Sequence, residues 1–180
     1  MRQRAIRSMI GLFFSVLIME LCFAVQGFAV QGFAATTNQP QADKIIILKS
    51  AHTMTLLSGD KVLKTYKVAL GTVPVGPKRI EGDHKTPEGN YTIDAKNPQS
   101  QFHLSLHISY PDAADRQNAA RLGARPGGAI MIHGLAKQFA YLGPLHRQVD
   151  WTDGCVAVTN DEIEEIWKLV SVGTRVEIRP

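Results

Sequence analysis

Cys155 and His133 are the residues of this chain best placed for covalent chemistry. Cys155 lies in Trp151-Thr152-Asp153-Gly154-Cys155-Val156-Ala157-Val158, after a glycine and before a β-branched apolar run. That pattern predicts a tight turn entering a strand. His133 closes the apolar stretch Ala129-Ile130-Met131-Ile132 and is followed by Gly134. Two strand ends, each beside a glycine, would bring an imidazole base to a thiol. A thiol is nucleophilic as its thiolate, and a nearby imidazole takes the proton. Acyl transfer also needs donors for the oxyanion, which backbone N–H groups at the Asp153-Gly154-Cys155 turn would supply. Taken singly, Cys155 also reads as a small buried hydrophobe, and His133 as a core histidine bonded to backbone.

The start of the chain bears on how Cys155 is read. Three arginines (Arg2, Arg4, Arg7) precede an apolar stretch from Met9 to Met19, and small-residue tracts follow at Gly27-Phe28-Ala29 and Gly32-Phe33-Ala34. This is the pattern of a secretory signal peptide over residues 1–34, with cleavage expected after Ala34 and next after Ala29. The tandem Val-Gln-Gly-Phe-Ala at residues 25–34 reads as a duplicated cleavage region. An uncleaved anchor is the alternative, opposed by the short apolar run and by Glu20. A lipid anchor at Cys22 lacks small residues before it. Removing the leader leaves Cys155 as the sole cysteine, so it is either an intermolecular bridge or a reactive group.

It also leaves 17 basic and 15 acidic residues, a net charge of +2 against +4 for the whole chain. No Lys/Arg cluster interleaved with aromatics follows, so no nucleic-acid partner is expected. About 146 residues bury enough surface in one core to need no disulfide.

The elements that must position the pair follow in order. Residues 35–43 are polar and read as a linker, with a single domain over residues 44–179. An Ile-rich strand over Lys44–Lys49 precedes two β-type runs about Ser58-Gly59-Asp60, a hairpin signal. A loop rich in Gly and Pro covers Gly71–Arg79. Thr86-Pro87-Glu88-Gly89 suits a type I turn before a strand at Tyr91-Thr92-Ile93. Phe102, Leu104, Leu106 and Ile108 alternate with His103, Ser105 and His107, a strand pattern. On a strand His103 and His107 are ~13 Å apart, whereas two ligands of one zinc lie within ~4 Å of one another. No metal or other cofactor is expected.

Asp112–Leu122 reads as a short helix with an Asp N-cap and Gly123 as its stop. Arg125-Pro126-Gly127-Gly128 reads as a turn, and Leu135–Asp150 as an irregular loop able to cover a site. Thr159-Asn160-Asp161-Glu162 fits a capping box. Ile163, Ile166, Trp167 and Val170 then repeat at helical spacing as core packing, with Gly173 expected to end the helix and a last strand at Arg175–Ile178. Many strands with two short helices make the domain mainly β with peripheral helices.

Ile132-His133-Gly134, followed by Thr152-Asp153-Gly154-Cys155-Val156, resembles the signature of the L,D-transpeptidase catalytic domain. Gly82-Asp83-His84-Lys85-Thr86-Pro87-Glu88-Gly89-Asn90-Tyr91 and Ser105-Leu106-His107-Ile108-Ser109-Tyr110-Pro111 resemble stretches of a bacterial branch of that family. The resemblance runs from about Lys44 to Arg179. It implies a β-sandwich or barrel domain acting on peptidoglycan in the periplasm or cell-wall space. Cys155 would attack the carbonyl joining meso-diaminopimelate to D-alanine in a tetrapeptide stem. D-Alanine would leave, and the acyl group would pass to an amine of another stem or of a wall-attached protein. His133 would be the base and then the acid, with the backbone at Gly154 and Cys155 forming the oxyanion hole. Gly134, Thr152 and Asp153 are the candidate substrate-binding positions.

Two departures stand out. Asp153 occupies a position where members often carry His or a small residue, and Ala157 one where they often carry Arg or Asn. Asp153 would orient a base or cap the turn. Arg125, Lys137, His146 or Arg147 would have to replace the carboxylate-binding group missing at Ala157. Water is therefore a candidate acceptor, which would make the enzyme an L,D-carboxypeptidase or a peptidoglycan–protein amidase. The other readings are a non-catalytic peptidoglycan-binding module and a dimer bridged through Cys155. Contact with a membrane is expected only if the leader is uncleaved.

Overall fold

A computed structural model describes residues 40–180. The readings placed on the leader and most of the linker lie outside the described residues. Eight strands form one sheet: β1 (Ala42–Leu48), β2 (Thr53–Ser58), β3 (Lys61–Lys67), β4 (Gly89–Ser100), β5 (His103–Ile108), β6 (Met131–His133), β7 (Val156–Ala157) and β8 (Val170–Arg179). Their order is β3-β2-β1-β8-β4-β5-β6-β7. β8 pairs parallel to β1 and β7 parallel to β6, and the other neighbours are antiparallel. The two ends of this order meet, because Ala69, just past β3, exchanges backbone hydrogen bonds of 3.0 and 2.9 Å with Ala157 on β7. The sheet is thereby curled around one core, in which Ile45, Ile47, Leu56, Ile93, Leu106, Ile132 and Val156 are fully buried.

Two helices flank the sheet, as the caps predict. α1 (Ala113–Arg121) has Asp112 as N-cap, with Asp115 completing a capping box. α2 (Asn160–Leu169) has Thr159 and Glu162 in the same relation. Its apolar stripe, Ile163 and Ile166, is fully buried, as helical periodicity requires. Trp167 is only partly buried. Lys96 lies 4.3 Å from its ring centroid and donates to the Trp167 and Val170 carbonyls at 2.6 and 2.8 Å.

Several boundaries differ from the sequence reading. The linker ends before Ala42, which pairs with Val170 and whose carbonyl accepts the Thr174 hydroxyl at 3.2 Å. Gly173 does not end α2. The helix stops at Leu169, and Gly173 sits inside β8 at φ +93°. The β1–β8 register shifts across this stretch, so the glycine serves an irregularity of the strand rather than a helix stop. Arg125–Gly128 runs as irregular chain instead of a turn.

Thr86-Pro87-Glu88-Gly89 is no turn either, because a buried lysine holds it extended. Lys49 Nζ donates to the carbonyls of Gly76 (2.7 Å) and Thr86 (3.1 Å) and to Glu88 Oε1 (2.8 Å). The Thr86 hydroxyl accepts the Gly71 N–H at 3.1 Å. Lys49 is 3 % exposed, so its charge is held by these partners and not by water. Removing one member of such a buried pair typically costs about 3–5 kcal/mol. Lys49→Ala is therefore expected to lower stability by several kcal/mol in urea denaturation, and Glu88→Gln by less.

Candidate active site

Strand pairing brings the two predicted residues to one face. In the parallel β6–β7 pair, Ile132 lies opposite Val156 and His133 opposite Ala157. Ile132 and Val156 point into the core. Side chains alternate along a strand, so His133 and Cys155 project from the opposite face as diagonal neighbours. Their Cα atoms are then ~8 Å apart by strand geometry, within reach of a thiol and an imidazole leaning together.

His133 is 2 % exposed and its ring is fixed. Nδ1 lies 2.7 Å from the Gly134 carbonyl oxygen. A carbonyl only accepts, so Nδ1 carries the proton and Nε2 is the basic nitrogen. The ring packs against Phe102 (centroids 4.4 Å apart) and edge-on to Trp151 (5.8 Å). Burial holds the imidazole below its ordinary pKa, outweighing the bond to Gly134. Burial likewise raises the Cys155 thiol, with Asp153 adding to the rise and Met131 and Lys78 opposing it. Both shifts favour a neutral thiol beside a neutral imidazole. The thiol rests against the Ala129 carbonyl at 3.5 Å rather than on His133; catalytic hydrogen bonds commonly tighten only once substrate is bound.

The turn before Cys155 is built from within. The Thr152 hydroxyl donates to the Cys155 carbonyl (2.7 Å) and accepts the Gly154 N–H (3.1 Å). The Thr152 backbone bonds to Leu70 and Thr72 across the sheet closure. Thr152, 4 % exposed, thus organises the turn. The Gly154 amide, assigned to the oxyanion by the sequence reading, is occupied by Thr152. The contribution of Gly154 is its missing side chain: φ is +123°, and a Cβ would lie 2.4 Å from the Lys85 carbonyl oxygen. Gly134 is also a close-packing position, where a Cβ would meet Asn160 Oδ1 at 2.6 Å and Ile163 at 2.9 Å. Asp153 is exposed and bonded to His84, Oδ1 to Nδ1 at 2.7 Å.

Of the candidates offered to replace a group at Ala157, Arg125 is engaged by Glu81 at 2.8 Å and Arg147 by Glu162. Lys137 is exposed, and His146 is buried. Lys137, His146 and Arg147 belong to a run of 3-10 turns over Lys137–Gln148, broken at Gly143, in the segment expected to cover the site. Trp151 Nε1 approaches His146 Nδ1 at 3.4 Å and links this segment to the ring packed on His133. Ala157 itself is fully buried opposite Ala69, so a long cationic side chain has no room there.

Sequence reasoning missed Phe102, Trp151, Asn160 and Lys49. Phe102 stood as one apolar residue of a strand, and Trp151 as part of the cysteine motif. The residue after the helix cap, Asn160, receives the Leu135 N–H at 2.7 Å and so fixes the chain just past His133. Nothing in a sequence distinguishes a clamping lysine such as Lys49 from a surface one.

A curled β sheet with a cysteine and a histidine on neighbouring strands defines the class of domain, and the chain belongs to the L,D-transpeptidase catalytic domain family, whose sequence model matches residues 42–178. YafK of Escherichia coli (strain K12), named as a candidate L,D-transpeptidase, is 30 % identical over 113 residues, which cover 62 % of this chain and 38 % of YafK. The helical cell shape determining protein Pgp2 of Campylobacter jejuni shares the fold at TM-score 0.59 and 24 % identity, over 77 % of this chain and 47 % of Pgp2. An L,D-transpeptidase of Mycobacterium smegmatis does so at TM-score 0.51 and 17 % identity, over 77 % and 59 %. The chain thus spans less than two thirds of the length of these relatives. Members of the family act on peptidoglycan peptides.

Two buried histidines make stability pH-dependent near the site. Burial pushes His146 down to about 4, and His133 also lies below the ordinary 6.5. Below 6.5 the unfolded chain binds protons that the folded one refuses, so this stability is full above 6.5 and is lost as pH falls toward about 4. Denaturation at pH 7.5 and pH 5 is expected to show a loss of about 2 kcal/mol from His146, which His146→Gln removes.

Proposed function

We propose that this domain is a cysteine-dependent peptidoglycan acyltransferase, an L,D-transpeptidase working in the periplasm or cell-wall space. The observation that carries this reading is the Nδ1 bond from His133 to Gly134, which leaves Nε2 as the base on the face shared with Cys155. In the first half-reaction Cys155 Sγ attacks the carbonyl between meso-diaminopimelate and D-alanine. The thiol proton passes to His133 Nε2 as the C–S bond forms. The C–N bond then breaks, and D-alanine leaves with that proton on its amine. In the second, an amine of another stem gives a proton to Nε2, attacks the thioester and displaces Cys155, which takes the proton back. The Cys155 amide stabilises the oxyanion, while Gly154 lets the turn pack against the Lys85 carbonyl. A neutral resting pair suits this sequence, since imidazole must start unprotonated to act as base.

The acceptor decides between transfer and hydrolysis by the same site. The full-length chain and its Cys155→Ala variant, incubated with diaminopimelate tetrapeptide muropeptides and a free D-amino acid, are to be compared by mass spectrometry. Cross-linked or D-amino-acid-exchanged products absent from the variant are expected. Tripeptides alone would make water the acceptor, and no change would end the acyl-transfer reading for these stems. His133→Gln is expected to lower turnover by about 10²–10⁴-fold, the usual contribution of a general base. Activity should fall on the acid side only below the ordinary imidazole value of 6.5, because His133 lies beneath it.

A further inference from the structure

The lip of the site carries a His–Asp pair that this reaction does not use. His84 Nδ1 lies 2.7 Å from Asp153 Oδ1, and Asp153 is two residues from the nucleophile. A carboxylate only accepts, so Nδ1 carries the proton and Nε2 is left at the outer edge of the ring. The side chains of His84 and Asp153 are 51 % and 90 % exposed. Ion pairs this exposed contribute little to stability.

The backbone that presents this pair is nevertheless specialised. His84 sits in the left-handed region at φ +54°. Its carbonyl oxygen lies 2.3 Å from where a Cβ of Gly71 would be, and that of Lys85 lies 2.4 Å from where a Cβ of Gly154 would be. The His84 carbonyl also accepts the Val73 N–H at 3.2 Å. Two glycines thus admit a strained backbone against the nucleophile turn, an arrangement typical of functional positions. The neighbouring Lys78 is already satisfied by Asp83 (2.8 Å) and the Ile80 carbonyl (3.2 Å). His84 Nε2 is therefore the ring nitrogen left for a ligand at this lip.

We propose that His84 and Asp153 form a subsite for a zwitterionic α-amino-carboxylate group on the substrate. His84 Nε2 donates to its carboxylate, and the second oxygen of Asp153 accepts from its ammonium. When the ligand is bound the ring is protonated at both nitrogens, the second proton coming from solvent. The ligand's identity rests on the acyl-transfer reading: the residue whose carbonyl Cys155 attacks has its side chain within a few bonds of the reacting centre. In meso-diaminopimelate that side chain ends in an α-amino-carboxylate. Lysine at the same position ends in an ammonium alone and keeps only the Asp153 contact.

The test is calorimetric binding of two tetrapeptide stems, with meso-diaminopimelate or L-lysine at the third position, to the full-length chain carrying Cys155→Ala. This parent is expected to bind the diaminopimelate stem about tenfold more tightly, the size of one charge-assisted hydrogen bond at an exposed site. His84→Asn, which tolerates the left-handed backbone, should abolish that preference and leave the lysine stem within twofold. Asp153→Asn should weaken both stems several-fold at an unchanged unfolding midpoint; if that variant does not fold, His84→Asn alone decides. A parent that binds neither stem or both equally, or a preference that survives His84→Asn, overturns the subsite. These affinities do not depend on turnover. Wild-type inactivity with the preference intact sinks only the acyl-transfer reading, whereas turnover without preference sinks only the subsite.

Discussion

The paired backbone hydrogen bonds between Ala69 and Ala157 are the constraint on which the site depends. β7 has only two residues, too few to hold a register by itself. It is fixed because it pairs with β6 on one side and with the chain leaving β3 on the other. That double pairing sets Cys155 diagonally across from His133. It also explains Ala157 in physical terms. The residue lies at the seam of the closed sheet, fully buried and opposite another alanine, so a larger polar side chain there would have to displace its neighbours.

The same closure governs the electrostatics. His133 is buried under Phe102 and Trp151 and Cys155 is partly buried beside the sheet, so both groups disfavour their charged forms. A thiolate–imidazolium pair would have to be solvated by the protein, and the local hydrogen bonds serve a neutral pair instead. His133 donates to Gly134, and the thiol leans on Ala129. Under the proposed acyl transfer, charge would develop only once a carbonyl is in place to receive it, which would limit idle reactions of the thiolate with other electrophiles.

Much of this was legible in the chain itself. Capping boxes at Asp112 and Thr159 announced both helices because N-cap chemistry is local. Alternation from Leu104 to Ile108 announced β5 because sheet burial has period two. The strand ends that carry His133 and Cys155 were legible because each pairs a glycine with a β-branched or apolar run. What failed were inferences in which a distant group overrides local preference. Thr-Pro-Glu-Gly has turn composition, yet Lys49, 37 residues before Thr86, stretches it. Gly173 follows a helical stripe, yet strand pairing with β1 claims the residues between. Gly154 suits an oxyanion turn, yet a hydroxyl two residues earlier takes its amide.

The two buried lysines bring the loop into this account. Lys49 and Lys78 are 3 % and 6 % exposed, and each spends its charge inside the segment from Gly76 to Glu88. A loop rich in Gly and Pro has high conformational entropy when free. Internal ammonium clamps are strong enough, in a low-dielectric setting, to order it. The ordered loop then delivers the carbonyls of His84 and Lys85 against Gly71 and Gly154. The nucleophile turn is therefore shaped from two sides, by sheet closure beneath and by a clamped loop above. The imidazole of His84 is carried to the lip by charges that never reach the surface themselves.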